Sequence, residues 1–160
     1  MELTQARVRE LFDYREDGTL IRKHSLGGQS AGSAVGCKSG EYLIAMVDRK
    51  LYKVHRMIFL WHHGWLPAEI DHKDTNKANN RITNLRPADK TENAWNVGKR
   101  STNTSGFKGV TWNKRWQKWY AQIQINGKRR GLGYFDTPEK AHSAYVEAAR
   151  KLHGDFARFS

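Results

Sequence analysis

The sequence predicts an α+β protein of two modules: a β-hairpin followed by a short helix, and then a three-stranded antiparallel sheet packed on one helix. Three observations carry that reading. Short β-type runs follow one another with turn signals between them, at Asp17-Gly18, Asp48-Arg49-Lys50 and Asn126-Gly127, which is the pattern of hairpins rather than of parallel crossovers. Helical periodicity is confined to separate segments, the last opened by Thr137-Pro138 as N-cap and first helical residue. Residues 97–106, VGKRSTNTSG, are small and polar with no apolar period, so they read as a linker or surface loop able to follow a phosphate backbone. The boundary is expected there, giving modules 1–100 and 101–160.

In the first module Thr4 is the expected N-cap of a short amphipathic helix through Val8, Leu11 and Phe12, because its hydroxyl can satisfy an orphan N–H of the first turn. Residues 26–40, rich in Gly, Ser and Ala, are expected to form a loop. Tyr42 to Val47 and Leu51 to Val54 are apolar on successive positions, which predicts a hairpin buried largely on both faces. His55 to His63 is apolar and aromatic and is followed by Gly64, the pattern of a buried helix with a glycine at its carboxyl end.

In the second module Phe107 to Trp112, Trp119 to Ile125 and Arg129 to Phe135 predict three strands. Ala141, Ala144, Tyr145, Ala148, Ala149 and Leu152 then recur at helical spacing. One helix covers one face of such a sheet and leaves the other face to meet a ligand.

Composition narrows the partners. The 160 residues include 28 Lys and Arg against 16 Asp and Glu, a formal net charge of +12, with a pI near 10.0 and a mean hydropathy of −0.80. Nucleic acid is the partner such a balance favours. No apolar run approaches the roughly 20 residues of a membrane-spanning helix, so no membrane partner is expected. The start, MELTQARVRELF, mixes acids and bases without an apolar core, which argues against a secretory signal and for an intracellular protein. The single cysteine, Cys37, excludes an internal disulfide and a cysteine-rich zinc knuckle.

The densest polar cluster lies in residues 69–96. Asp71-His72 follows the apolar Ile70 at a strand end, Asn84 comes twelve residues after His72, and Asn93 comes twenty-one after it, at the opening of a short helix. An imidazole with an ordinary pKa near 6.5 can activate water at neutral pH. A carboxylate and an amide oxygen form an oxygen-only ligand set that suits magnesium or manganese better than zinc. The alternative for the asparagines is turn chemistry alone, since Asn bonds its own backbone and tolerates left-handed conformations.

With those residues in place, the segment from roughly residue 40 to 97 resembles the HNH endonucleases of the ββα-metal fold, in particular the homing enzymes of phages and mobile introns. The resemblance implies that Asp71 and Asn93 bind one divalent ion, Mg2+ or Mn2+, that His72 is the general base, and that Asn84 braces the loop that orients His72. It also places a His-Arg pair at His55-Arg56, where Arg56 reaches a phosphate and His55 is a core residue. Lys73, Lys77, Arg81 and Arg86 flank the motif and are expected to hold the DNA backbone; a solvated charged face is the alternative for each.

From Ser105 onward the sequence resembles the DNA-binding domain of plant APETALA and ethylene-response-factor proteins, carried by Gly106 to Val110, Trp119 to Ile123, Leu132 to Thr137 and Ala141 to Leu152. In that family the sheet lies in the major groove of double-stranded DNA. The positions that make contacts there correspond to Lys108, Thr111, Trp116, Gln122, Gln124 and Arg129, and the basic turn adds Lys114 and Arg115. Thr111, Gln122 and Gln124 stand where the plant domains commonly carry Arg, Glu and Arg, and Gly131 replaces a contacting Trp. Binding is thus implied but the plant target is not; Gln can still read adenine and Thr a thymine methyl. Trp119 is expected in the core.

The expected protein is therefore a metal-dependent DNA endonuclease, acting as a monomer on DNA, of the phage or mobile-element type. A non-catalytic DNA-binding regulator that uses the HNH motif as scaffold is the alternative, and a nuclease of phage DNA processing is a third reading.

Overall fold

The computed structural model describes residues 2–99 and 101–159; the boundary expected at residue 100 lies outside them. The chain forms two compact units, Met1–Asp89 and Lys90–Ser160, so the division comes ahead of the polar segment 97–106. Secondary structure is mixed, and every named strand pair is antiparallel.

The first unit opens with helix α1 (Gln5–Leu11), whose N-cap Thr4 accepts the Arg7 N–H on its hydroxyl at 3.3 Å, an interaction worth about 1 kcal/mol. Strands β1 (Phe12–Tyr14) and β2 (Leu20–Arg22) form a ribbon around the Asp17-Gly18 turn. Residues 26–40, expected to be loop throughout, contain one short strand, β3 (Cys37–Ser39), on the edge of β4 (Tyr42–Val47). Its three residues are all exposed, so no burial pattern marks it in the sequence. Strand β5 (Lys50–Lys53) completes that sheet through a turn with Asp48 and Arg49 at φ 47° and 64°.

The β4–β5 hairpin is not buried on both faces as expected. Met46 and Leu51 are cross-strand partners and are 66% and 62% exposed, because helix α2 (Val54–His63) covers only the opposite face. Gly64, at φ 77°, ends α2 and donates its N–H to the Leu60 carbonyl, as a left-handed terminating residue does. Val54, Met57, Ile58, Phe59 and Leu60 of α2 join Val8, Leu20 and Ile70 in the core of this unit. Strands β6 (Glu69–His72) and β7 (Leu85–Ala88) form a second ribbon, joined by the Asn-rich loop and a single 3-10 turn, Ile82–Asn84.

The second unit begins with helix α3 (Lys90–Trp95). Strands β8 (Val110–Asn113), β9 (Lys118–Ile125) and β10 (Lys128–Phe135) form a sheet with β9 in the centre. Asn126 and Gly127, at φ 49° and 75°, make the tight β9–β10 turn, whose twist matches that of the strands it joins. Helix α4 (Pro138–His153) is capped by the Thr137 hydroxyl, which accepts the Lys140 N–H at 3.3 Å. Its buried Ala141, Tyr145 and Ala149 pack with Val110, Ala121 and Ile123 of the sheet. Trp119 is partly buried against that core, as expected.

Candidate active site and nucleic-acid interface

Strand β6 delivers the two principal residues. Ile70 is in the core, and Asp71 and His72 after it are both 0% exposed. The register sets Asp71 opposite Arg86. Both Nε and Nη2 of Arg86 donate to Asp71 Oδ2, at 2.8 Å and 2.6 Å. A carboxylate taken out of water needs such compensation.

His72 meets a different partner. Its Nε2 lies 3.1 Å from Oδ1 of Asn80, itself 1% exposed. An amide oxygen accepts from Nε2–H, which puts the basic lone pair of the imidazole on Nδ1. The His55 ring stands edge-on to the His72 ring at 5.1 Å, and Tyr42 packs on both. Burial, then the neighbouring His72, push the His55 imidazole down to about 3, so it is neutral. Burial also lowers His72, against an opposing pull from the Asn80 hydrogen bond. A general base must enter the reaction unprotonated, and both effects of burial favour that form.

The loop that carries Asn80 is braced from two sides. Asn84 donates through Nδ2 to Asp74 Oδ1 at 2.9 Å and to the Asn79 carbonyl at 2.8 Å, while its own Oδ1 accepts the Asp74 N–H at 3.1 Å. From the β1–β2 ribbon, the Tyr14 hydroxyl accepts the Ile82 N–H at 3.0 Å. A Cβ on Gly18 would come within 2.5 Å of Arg81 N and 2.6 Å of Asn80 C, so the turn can approach the loop this closely only with glycine. The Asn84 hydrogen bonds hold the loop together, and Asn80 meets His72 Nε2. Sequence reasoning missed Asn80 among its neighbours Asn76 and Asn79; only its spacing of eight residues from His72 sets it apart.

Several residues expected at DNA hold hydrogen bonds within the protein. Arg86 pairs with Asp71, as the cross-strand register requires. Arg56 donates to the carbonyls of Pro67 and Ala68 at 3.3 Å and 3.4 Å and so fastens the approach to β6. Lys73 donates to the Thr83 carbonyl at 2.7 Å. Lys77 is half-buried and Arg81 is exposed. Asn93 is half-buried on α3, in the second unit.

On the carboxy-terminal sheet, Thr111, Gln122, Gln124 and Arg129 fall on one face by strand register, the face away from α4. They line a cavity of about 770 Å³. Gly131 lies opposite Gln122, and any side chain there would collide with the Tyr120 hydroxyl. Lys114, Arg115 and Trp116 are exposed in the β8–β9 turn, with the Arg115 guanidinium 5.6 Å from the Trp116 ring centre. Lys108 is the exception. Its ammonium lines the same cavity but is half-buried and donates to the Trp95 carbonyl at 2.9 Å, and burial lowers it to about 8.

Comparison with known proteins also separates two regions. Residues 52–95 match the family model described as HNH endonuclease, and residues 105–155 match that of the AP2 domain. Protein 3.8 of Escherichia phage T7 is 37% identical over 116 residues, which cover 69% of this chain and 95% of that protein. The chain belongs to the HNH endonuclease family. It adds an AP2-like DNA-binding domain at its carboxyl end. An uncharacterized HNH endonuclease of Acanthamoeba polyphaga mimivirus is 33% identical over 108 residues, 66% of this chain and 55% of that one. An ethylene-responsive transcription factor of Arabidopsis thaliana is 46% identical over 57 residues, 34% of this chain and 22% of that protein. No solved structure matches.

HNH nucleases generally use divalent metal ions. Among the described residues no three His, Cys, Asp or Glu side chains cluster as a metal site. Among them, too, no helix is long and apolar enough to cross a membrane.

Proposed function

We propose that this HNH protein is a metal-dependent endonuclease that nicks or cuts double-stranded DNA, with module 1–100 as the nuclease and module 101–160 as the reader. The observation that carries the reading is the buried Asp71-His72 pair on β6, with His72 held by Asn80 and Asp71 by Arg86. Two adjacent polar side chains at 0% exposure are costly to a fold unless they are paired, and the Asn80 and Arg86 partners that pair them also fix them in place for chemistry. In this reading β6, β7 and α3 form the ββα-metal module.

The donor set fits a hard cation. Asp71 supplies a carboxylate and Asn93 an amide oxygen, and Mg2+ or Mn2+ accepts both while leaving room for water and phosphate. A bound ion would stabilise the charge that builds on the phosphate and on the departing 3′ oxygen. His72 takes the proton of the water that attacks phosphorus, and the bond from phosphorus to the 3′ oxygen breaks, the 3′ oxygen taking a proton from solvent water. The products are a 5′-phosphate and a 3′-hydroxyl. Asn80 fixes the imidazole for that transfer, and Asn84 braces the loop that carries Asn80.

The reader face supplies recognition through Thr111, Gln122, Gln124 and Arg129, with Lys114, Arg115 and Trp116 on sugar and phosphate. Linking two DNA-binding modules raises the effective concentration of the second, so a monomer suffices and one site per chain favours nicking. Protein 3.8 belongs to a phage, and a phage or mobile-element homing enzyme working inside a bacterial host fits this division of labour.

Supercoiled plasmid incubated with the protein and Mg2+, Mn2+ or EDTA tests the reading. Open-circular product is expected with metal alone and is expected to vanish in His72→Ala. Tight, salt-sensitive binding without cleavage in any metal would instead support a regulator.

A further inference from the structure

The face of the carboxy-terminal sheet that points away from α4 carries two kinds of side chain. Cross-strand register aligns Thr111, Tyr120 and Tyr134 in one row across β8, β9 and β10. Further along β9 the same face continues with Gln122 opposite Gly131, and then with Gln124 opposite Arg129. The first row is aromatic and methyl-bearing, while the rows after it carry amides and a guanidinium.

Tyr120 is the centre of the aromatic row. Its ring packs at a tilt on Tyr134, with ring centres 4.9 Å apart, and the Trp116 ring lies 6.3 Å beyond Tyr134. The Tyr120 ring also leans over β10, because a Cβ on Gly131 would collide with its hydroxyl and come within 3.2 Å of its Cζ. Gly131 is not in the left-handed region, so the ring, and not the backbone, requires glycine there. Tyr134 is 47% and Trp116 59% exposed, and aromatic rings grouped in solvent mark a contact surface. Charge indicates the partner. The exposed Lys114 and Arg115 share the β8–β9 turn with Trp116, and the exposed Arg129 stands on the same face as Tyr120, so the row is flanked by cations that suit a polyanion. Duplex DNA presents to such a row one apolar group in its major groove, the 5-methyl of thymine.

We propose that the row of Thr111, Tyr120 and Tyr134 recognises thymine methyl groups in the major groove of duplex DNA, with Tyr120 as a specificity-determining residue. The inference rests on the reader role proposed above for this face. Glycine at position 131 is the counterpart of Tyr120, since it vacates the place that the ring takes. The polar rows complement the aromatic one: Gln pairs bidentately with adenine, so amides and rings together select A·T pairs.

The test uses the full chain to select duplexes from a random-sequence pool, then remakes those duplexes with deoxyuridine for thymine, which removes only the 5-methyl groups. The parent is expected to bind the deoxyuridine duplexes more weakly, by about 4-fold for each methyl contacted, the scale of burying one such group. Tyr120→Ala is expected to lower the ratio of thymine to deoxyuridine affinity by about 4-fold, whereas Tyr120→Phe, which keeps the ring, retains the parent's ratio. Tyr134→Ala is expected to lower the ratio less, and serves if Tyr120→Ala does not fold. Arg129→Ala is expected to weaken both duplexes alike. Equal affinity of the parent for the two duplexes, with Arg129→Ala still weakening both, would overturn the inference and leave the reader standing. A parent-like ratio in whichever of Tyr120→Ala and Tyr134→Ala fold would overturn it as well. Absence of salt-sensitive DNA binding in the parent would instead remove the reader, and the inference with it.

Discussion

In the amino-terminal unit the side chains assigned to chemistry are out of solvent: Asp71 and His72 are 0% exposed and Asn80 is 1% exposed. In the carboxy-terminal unit those assigned to recognition stand in it, with Trp116 59% exposed and Thr111, Gln124 and Arg129 exposed as well. The contrast follows from what each task needs. Proton transfer and ion binding depend on fixed geometry, which buried hydrogen bonds supply. Backbone contact with DNA depends on accessible cations that can release its counterions. Substitutions around β6 should therefore act on rate and stability, and those on the reading face of the second unit on affinity.

The largest departure is expected at Arg86. Arg86→Ala leaves the Asp71 carboxylate buried without its guanidinium, and stability should fall by about 3 kcal/mol, read as a lower urea midpoint. Unchanged stability would mean that Asp71 is not held as a buried charge. Asn80→Ala comes next. It should reduce the single-turnover nicking rate about 10²-fold, the scale of a small misplacement of a catalytic group, with DNA affinity kept. A parallel loss of affinity would place Asn80 in the binding surface instead.

Acid should sharpen the contrast further. The folded His55 imidazole sits at about 3, below its ordinary 6.5, so the unfolded chain takes up a proton that the folded chain refuses. The stability this contributes is present above pH 6.5 and is lost progressively as pH falls from there toward 3. The charged and titrating groups around it are His72, Lys53, Arg56 and Lys77, with the Tyr42 ring packed on it. Urea midpoints at pH 7 and pH 4.5 should therefore differ less in His55→Gln than in the parent.

The smallest effect separates two basic residues of the reader. Arg129→Ala should lower the slope of log affinity against log salt by about 1. Lys108→Met should leave that slope alone, because its ammonium already serves the Trp95 carbonyl. Equal changes in both would return Lys108 to the DNA face.

What could be read from the sequence was local. Thr137-Pro138 and Asn126-Gly127 announce α4 and the β9–β10 turn because capping and turn chemistry act within a few residues. Ile70-Asp71-His72 was legible as a strand end for the same reason. Nothing local reveals that cross-strand register sets Arg86 opposite Asp71. Nor does anything local show that the Lys108 ammonium meets the Trp95 carbonyl, or which of several asparagines meets His72. Met46 and Leu51 misled in the other direction: two apolar residues in a strand pattern suggest burial, and only the placement of α2 decides which face is covered.

One paired measurement tests the separation most directly: single-turnover nicking rate and DNA affinity for His72→Ala beside Arg129→Ala. The account predicts that His72→Ala loses cleavage while keeping the parent's affinity, and that Arg129→Ala binds more weakly yet cleaves at the parent's rate once DNA is saturating. If His72→Ala loses affinity along with rate, or Arg129→Ala cleaves slowly at saturation, chemistry and recognition are not divided between the β6 site and the reading face.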